Sequence, residues 1–198
     1  ILISKLGVSH IVVGEDFRFG KNKDGNINKL KKLALKYDFS VSAVPVLKAN
    51  NGKISSTDIR KLIKEGKVAK VAKYLGRNYF LKGVVVTGEG RGKRLGIPTA
   101  NLDLETNYVL PPRGVYACLT HHNDLVYKSV VNFGKKPTFA GEDYTVEVHL
   151  LEADQNFYGE ELEIELFEFI RPEKSFAGEE ELIEQIKSDI LYTKRVLC

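Results

Sequence analysis

The sequence is short of several things that would point to whole classes of protein. No apolar run among its 198 residues is long enough to span a bilayer. No cationic segment leads into an apolar stretch at its start, so no secretory signal is read there. Cysteine is scarce: Cys118 and Cys198 have neither metal-ligand nor redox spacing, and two free thiols suit a reducing cytoplasm. Neither an internal repeat nor a low-complexity segment occurs. Excess charge is small too, with 30 Lys plus Arg against 26 Asp plus Glu and a net +4. That balance is too weak and too evenly spread to argue for nucleic acid, and it suits an anionic small molecule such as a nucleotide. Methionine does not open the chain, and the abrupt start on ILISKLGVSHIVVG reads as the middle of a larger protein.

What is present falls into two parts with different periods. HIVVG is a short apolar run of the kind a buried parallel strand uses. Ile27, Leu30, Ala34 and Tyr37 then recur at helical spacing, and FSVSAVPVL alternates as a second strand. Strand, helix, strand predicts a βαβ unit. A helix follows, capped by Ser56 or Thr57, with Ile59, Leu62 and Ile63 on one face and Gly66 at its end. A shorter helix runs from about Val68 to Leu75, with Gly76 beyond it.

After Gly76 the period becomes that of strands. YFLKGVVVTG, GVYACLTHHNDLVYKSVVNFG and YTVEVHLLEADQNFYGEELEIELFEFI alternate or are β-branched, with HHND and DQNFYGE as expected hairpin connections. Consecutive strands without helices predict an antiparallel barrel or sandwich. A last helix carries Glu179 to Glu181 in its first turn and an apolar stripe of Leu182, Ile183, Ile186 and Ile190. The change of period sets a boundary near residues 76 to 79.

The chemistry concentrates in GEGRGKRLGIPTAN, residues 88 to 101. It is not a P-loop, because Arg94 follows Gly92-Lys93, nor a dinucleotide fingerprint, because Pro98 and the strand-like surroundings argue against a following helix. Gly88, Gly90 and Gly92 allow backbone amides to turn towards an anion, with Arg91, Lys93 and Arg94 adding charge; a plain flexible turn has the same composition. Thr99 and Asn101 lie two apart and so share a side of an extended segment. Both offer neutral hard oxygens of the type Mg²⁺ accepts beside nucleotide phosphates, although a Pro-Thr turn with a structural Asn is the alternative. In YTVEVHLL, Val146, Val148 and Leu150 share one face and Thr145, Glu147 and His149 the other. Pattern alone makes Glu147 a solvent-facing barrel residue.

KGVVVTGEGRGKRLGIPTANLDL, PPRGVYA, VVNFGKKPTF, VEVHLLEADQNFYGEELEIELFEFIRPEKSF and EELIEQIKSDI resemble riboflavin kinase in order and spacing. VVGEDFRFGKNKDGN and ISSTDIRKLIKEGKVAKVAKYLGR resemble the FMN adenylyltransferase module of bacterial bifunctional FAD synthetase. The resemblance implies the C-terminal part of a Rossmann-like nucleotidyltransferase domain over residues 1–77. It implies a six-stranded antiparallel Greek-key β-barrel, the riboflavin kinase domain, over residues 78–198. The implied reaction phosphorylates the ribityl 5′-hydroxyl of riboflavin with ATP and Mg²⁺. In that reading Thr99 and Asn101 hold the metal and Glu147 is the general base. Gly88, Gly90, Arg91, Gly92, Lys93, Pro98, Thr99, His149 and Leu150 lie on the ATP side, and Asn132, Arg171 and Phe176 near the flavin.

In the first part, Asp16, Ser55, Ser56, Thr57 and Arg60 match the adenylyltransferase motifs. SSTDIR sets hydroxyls and amides at a helix N-terminus, a seat for phosphate. The family's G-x-F-D-G-x-H-x-G-H stretch has no counterpart among these residues, so this half-site is expected to be incompetent, and His10 is read as structural. The rival to the kinase reading is a nucleotide- or nucleic-acid-binding barrel without catalysis. That reading predicts aromatic residues interleaved with cations on strands, whereas here the cations gather in the glycine segment and the helices.

Overall fold

The computed structural model describes residues 2–3, 5–49, 52–88, 90–104, 108–138 and 141–198; the side chains of residues 49, 91, 93, 136–138 and 141–143 lie outside that description. Packing divides the chain into two compact units, residues 1–55 and 56–198.

The first unit contains β1 (His10–Gly14), a 3₁₀ turn at Lys21–Lys23, α1 (Ile27–Tyr37), β2 (Ser40–Val44) and the short pair β3 (Lys48–Ala49) and β4 (Gly52–Lys53). The expected βαβ unit is present: β1 and β2 are parallel, with His10 opposite Ser40 and Gly14 opposite Val44. Asn26 caps α1 by accepting from the Lys29 amide at 3.0 Å, and Leu30 and Ala34 form its buried side. The strand HIVVG is less buried than its apolar run predicts, since Val12 is 60% exposed and Val44 51%. A two-stranded sheet with one helix covers only one face, and these two residues belong to the other. His10 Nδ1 is hydrogen-bonded to Ser40 Oγ across the pair.

The second unit runs α2 (Ser56–Lys64), α3 (Val68–Leu75), β5 (Tyr79–Val86), α4 (Arg91–Arg94), β6 (Ala100–Leu104), β7 (Gly114–His122), β8 (Leu125–Thr138), β9 (Gly141–Leu150), β10 (Glu161–Arg171) and α5 (Glu179–Val196). Gly66 and Gly76 end their helices as read, both at φ +72°. Strands β5 to β10 close into an antiparallel barrel in the order β10-β5-β6-β9-β8-β7. β7, β8 and β9 form a meander and β6 returns beside β9, which is a Greek key.

HHND is the expected hairpin, turning through Asn123 at φ 52°. DQNFYGE is not one, because β9 pairs with β6 and β8 while β10 pairs with β5 and β7. Closure of the barrel explains the difference: its last strand must lie between the first and the third, so residues 151–160 cross rather than fold back. Helices α2 and α3 pack with the barrel. Leu62, Ile63 and Val71 bury against Tyr79 and Val109, and a Cβ at Gly66 would lie 3.3 Å from Tyr116 Oη. The contacts therefore break at Ser55/Ser56, earlier than the change of period near residues 76 to 79.

Alternate residues of every barrel strand fill the interior, among them Leu81, Val131, Phe133, Val148, Leu162, Ile164 and Leu166, each fully buried. Tyr116 and Phe133 meet there edge to face at 5.4 Å. Cys118 lies in the same core, its Sγ 3.3 Å from the Ser129 carbonyl, and burial pushes its thiol pKa far above the ordinary range. Cys198 is exposed. A thiol reagent is therefore expected to modify Cys198 alone in the native protein and both cysteines after denaturation. Peptide mapping that finds native Cys118 modified contradicts the packing described. No helix among the described residues is long and apolar enough to cross a membrane.

Helix α5 packs across the outer surface of β7, β8 and β10. Its expected apolar stripe is only half-buried; the residues that it buries fully are Asp189 and Thr193, at 3% and 0% exposure. Asp189 and Thr193 lie seven residues after Leu182 and Ile186, on the same helix side, so the contact face carries a buried carboxylate.

Candidate active site

Strand β9 builds the centre of the site. The alternation read from YTVEVHLL holds: Val146, Val148 and Leu150 point into the barrel at 3%, 0% and 6% exposure, while Glu147 lies half-buried on the outer face. Its neighbours come from far along the chain. Asn101 of β6 stands opposite Glu147 on one side and Asn132 of β8 on the other. The row continues through Val115 to Arg171. At about 4.8 Å per strand, these residues form a band, polar except at Val115, across one end of the barrel wall. Thr99, just before β6, brings its hydroxyl 3.5 Å from a Glu147 carboxylate oxygen, a long hydrogen bond with the hydroxyl donating.

Three clefts meet at this band, and Thr99 lines all of them. The first, about 570 Å³, lies between the glycine segment and residues 150–157, with Gly88, Gly90, Pro98, Asn101 and Leu150 in its wall. The second, about 270 Å³, lies between the barrel's outer face and α5, and takes in Glu147, Asn132, Arg171 and Phe176. A third, about 490 Å³, opens beside Asp103, Lys135 and Thr145 and also reaches Glu147. Glu147 therefore stands on the boundary between clefts, where a group held in one can react with a group held in another.

Two glycines of the arch are required by contact. A Cβ on Gly88 would overlap the side-chain amide of Asn101, and one on Gly92 would overlap the Ile97 carbonyl and lie 3.1 Å from Thr99 Oγ1. Gly90 needs its freedom for conformation instead, at φ +66°. The segment is more ordered than an open anion nest. Arg91–Arg94 makes one helical turn, and the amides of Leu95 and Ile97 both donate to the Gly92 carbonyl at 3.1 and 2.9 Å. Those two amides are spent inside the loop. The side chains of Arg91 and Lys93 lie outside the described residues.

The second cleft gathers all three residues expected near the flavin, Asn132, Arg171 and Phe176. It also takes His149, which was expected on the ATP side; its Nδ1 is 2.7 Å from the Pro98 carbonyl and donates to it. Gly92 lines the second and third clefts rather than the first. Residues that the sequence reading missed include Asp189, which binds Arg171, and Gln155 and Asn156 in the wall of the first cleft. A lone acid seven residues after Leu182 and three after Ile186, on the same helix side, was the available signal for Asp189.

The adenylyltransferase candidates divide between the two units. Asp16, in the first, is exposed and paired with Lys53, whose ammonium holds the carboxyl below its ordinary pKa. Ser55 closes that unit. Ser56 and Thr57 start α2 and, with Arg60, face solvent in the second, opposite the buried Leu62 and Ile63.

The fold and these converging clefts define a class: a closed Greek-key barrel whose polar centre sits on its outer face beneath a C-terminal helix. Within that class the chain belongs to the riboflavin kinase family, whose sequence model matches residues 75–197. Residues 1–58 match the FAD synthetase family. The bifunctional riboflavin kinase/FMN adenylyltransferase of Buchnera aphidicola subsp. Acyrthosiphon pisum is 40% identical over 198 residues, covering 98% of this chain and 63% of its own length. That of Bacillus subtilis is 40% identical over 187 residues, covering 93% and 59%. The crystal structure of the macrolide-efflux protein from Streptococcus pneumoniae superposes with a TM-score of 0.83 at 35% identity, covering 93% of this chain and 60% of that one. The chain thus spans somewhat under two thirds of the length of these relatives.

Proposed function

We propose that this chain transfers the γ-phosphoryl group of ATP to the ribityl 5′-hydroxyl of riboflavin, giving FMN and ADP. The observation that carries this reading is the position of Glu147, between Asn101 and Asn132 in the second cleft and 3.5 Å from the hydroxyl of Thr99, which lines the first cleft as well as the second. ATP enters the first cleft, its phosphates reaching the glycine arch and Thr99. Riboflavin enters the second, its ring between Phe176 and the barrel wall and its ribityl chain leading to Glu147. Glu147 accepts the hydroxyl proton as the oxygen bonds to the γ-phosphorus and the bond to the β–γ bridging oxygen breaks. Thr99, donating to the same carboxylate, holds it in place.

Thr99 and Asn101 fit a magnesium ion delivered with the nucleotide. Their oxygens are hard and neutral, and no group of three His, Cys, Asp or Glu among the described residues could bind a metal without the phosphates. When bound, the ion neutralises charge on the phosphates. We assign residues 78–198 to the kinase module and residues 1–77 to part of an FMN adenylyltransferase module, the longer protein making FAD from FMN. A reducing cytoplasm suits the two free thiols.

Incubation of the chain with riboflavin and MgATP, with flavins resolved by chromatography, tests the reading. FMN and ADP are expected in equal amounts. No FMN from protein whose barrel is demonstrably folded refutes it.

A further inference from the structure

We propose that Asp189 of α5 is a positioning residue for the second cleft: by locking the Arg171 guanidinium it fixes the cleft wall that receives the flavin ring. The inference rests on the reading of that cleft as the riboflavin site and gives a role to a residue of EELIEQIKSDI that the resemblance left without one.

A carboxylate at 3% exposure survives in a folded protein only with charge and hydrogen bonds to compensate it. Asp189 has both. Arg171 Nε lies 3.1 Å from each of its oxygens and Nη2 2.8 Å from Oδ2, a fork-to-fork pair, and Gln185 adds a donor at 2.9 Å. The other end of the guanidinium is held as well, Nη1 donating to the Pro172 carbonyl at 3.1 Å. Its plane is thereby set by groups on two sides. Phe176 lies beyond it, with Arg171 Cζ 5.8 Å and Lys174 Nζ 4.8 Å from the ring centroid.

These contacts form one path from α5 to the cleft. Asp189 is anchored in a helix that packs on three barrel strands, Arg171 ends β10, and the residues between them carry Phe176. Asp189, Arg171 and Phe176 all line the same cleft. A bidentate pair fixes orientation as well as distance, so a flat ring entering between Phe176 and the barrel meets a preformed wall. A pair serving only to tie α5 to β10 would need no place in the cleft, and an apolar pair of similar volume would serve as well.

That difference supplies the test. Riboflavin affinity is read from quenching of flavin fluorescence without ATP, and MgADP affinity by calorimetry. Asp189→Asn is expected to weaken riboflavin binding on the order of 10- to 100-fold, while MgADP binding stays within about two-fold. The double substitution Arg171→Met, Asp189→Leu is expected to regain the wild-type melting temperature and still bind riboflavin as weakly as Asp189→Asn. Recovery of both stability and affinity in the double variant makes the pair purely structural and overturns the inference. Equal weakening of both ligands by Asp189→Asn, or unchanged riboflavin affinity, overturns it also. Should the double variant not fold, the ratio of the two affinities in Asp189→Asn decides alone. A wild-type chain that binds no riboflavin refutes the functional reading, and the inference with it.

Discussion

Replacing Glu147 by glutamine is expected to lower turnover of riboflavin to FMN by about 10²- to 10⁴-fold, the usual contribution of a general base. The substitution keeps side-chain volume and an oxygen to accept the Thr99 hydroxyl, now 3.5 Å from the carboxylate. It removes the negative charge and with it the capacity to take a proton. ADP binding is expected to change by no more than about two-fold, since Glu147 lines the second and third clefts and not the first. Rapid-quench measurement of FMN at saturating ATP, beside calorimetry with MgADP, separates the two quantities. Near-normal turnover in the Glu147→Gln variant would reduce Glu147 to an outward strand residue with no part in the chemistry.

Alanine at Thr99 or Asn101 is expected to weaken ADP binding in magnesium by about 10- to 100-fold. Outer-shell partners of metal sites already carry that much, and a direct oxygen donor should fall at least in the same range. In EDTA the same substitutions are expected to cost far less. Calorimetric titration with ADP under both conditions checks this, and equal losses in both would mean that the two residues only shape the loop. Gly88→Ala is expected to mimic Asn101→Ala, because its new methyl group occupies the space of the Asn101 amide.

The sequence by itself determined where α2 and α3 of the second unit stop and which way β9 faces. Gly66 and Gly76 stop helices because each adopts φ +72°, a backbone conformation that costs glycine little. Alternation in YTVEVHLL separated the buried Val146 and Val148 from Glu147, because successive strand residues must point to opposite faces. The resemblance to riboflavin kinase reached further and singled out Glu147, Thr99 and Asn101 for the roles proposed above. Which strands become neighbours was decided only by closure of the barrel. Asn101, Asn132 and Glu147 meet because β6 and β8 both pair with β9, a result of nonlocal hydrogen bonding that no local period records. For the same reason DQNFYGE resembled a hairpin and proved to be a crossover. The break in packing at Ser55/Ser56 was equally invisible, since a change of period reports backbone conformation, whereas a unit is defined by what its side chains bury against. Asp189 is the sharpest instance. Its spacing from Leu182 and Ile186 sets it on the apolar side of the helix, but only the Arg171 guanidinium, brought to it from the end of β10, makes its burial possible.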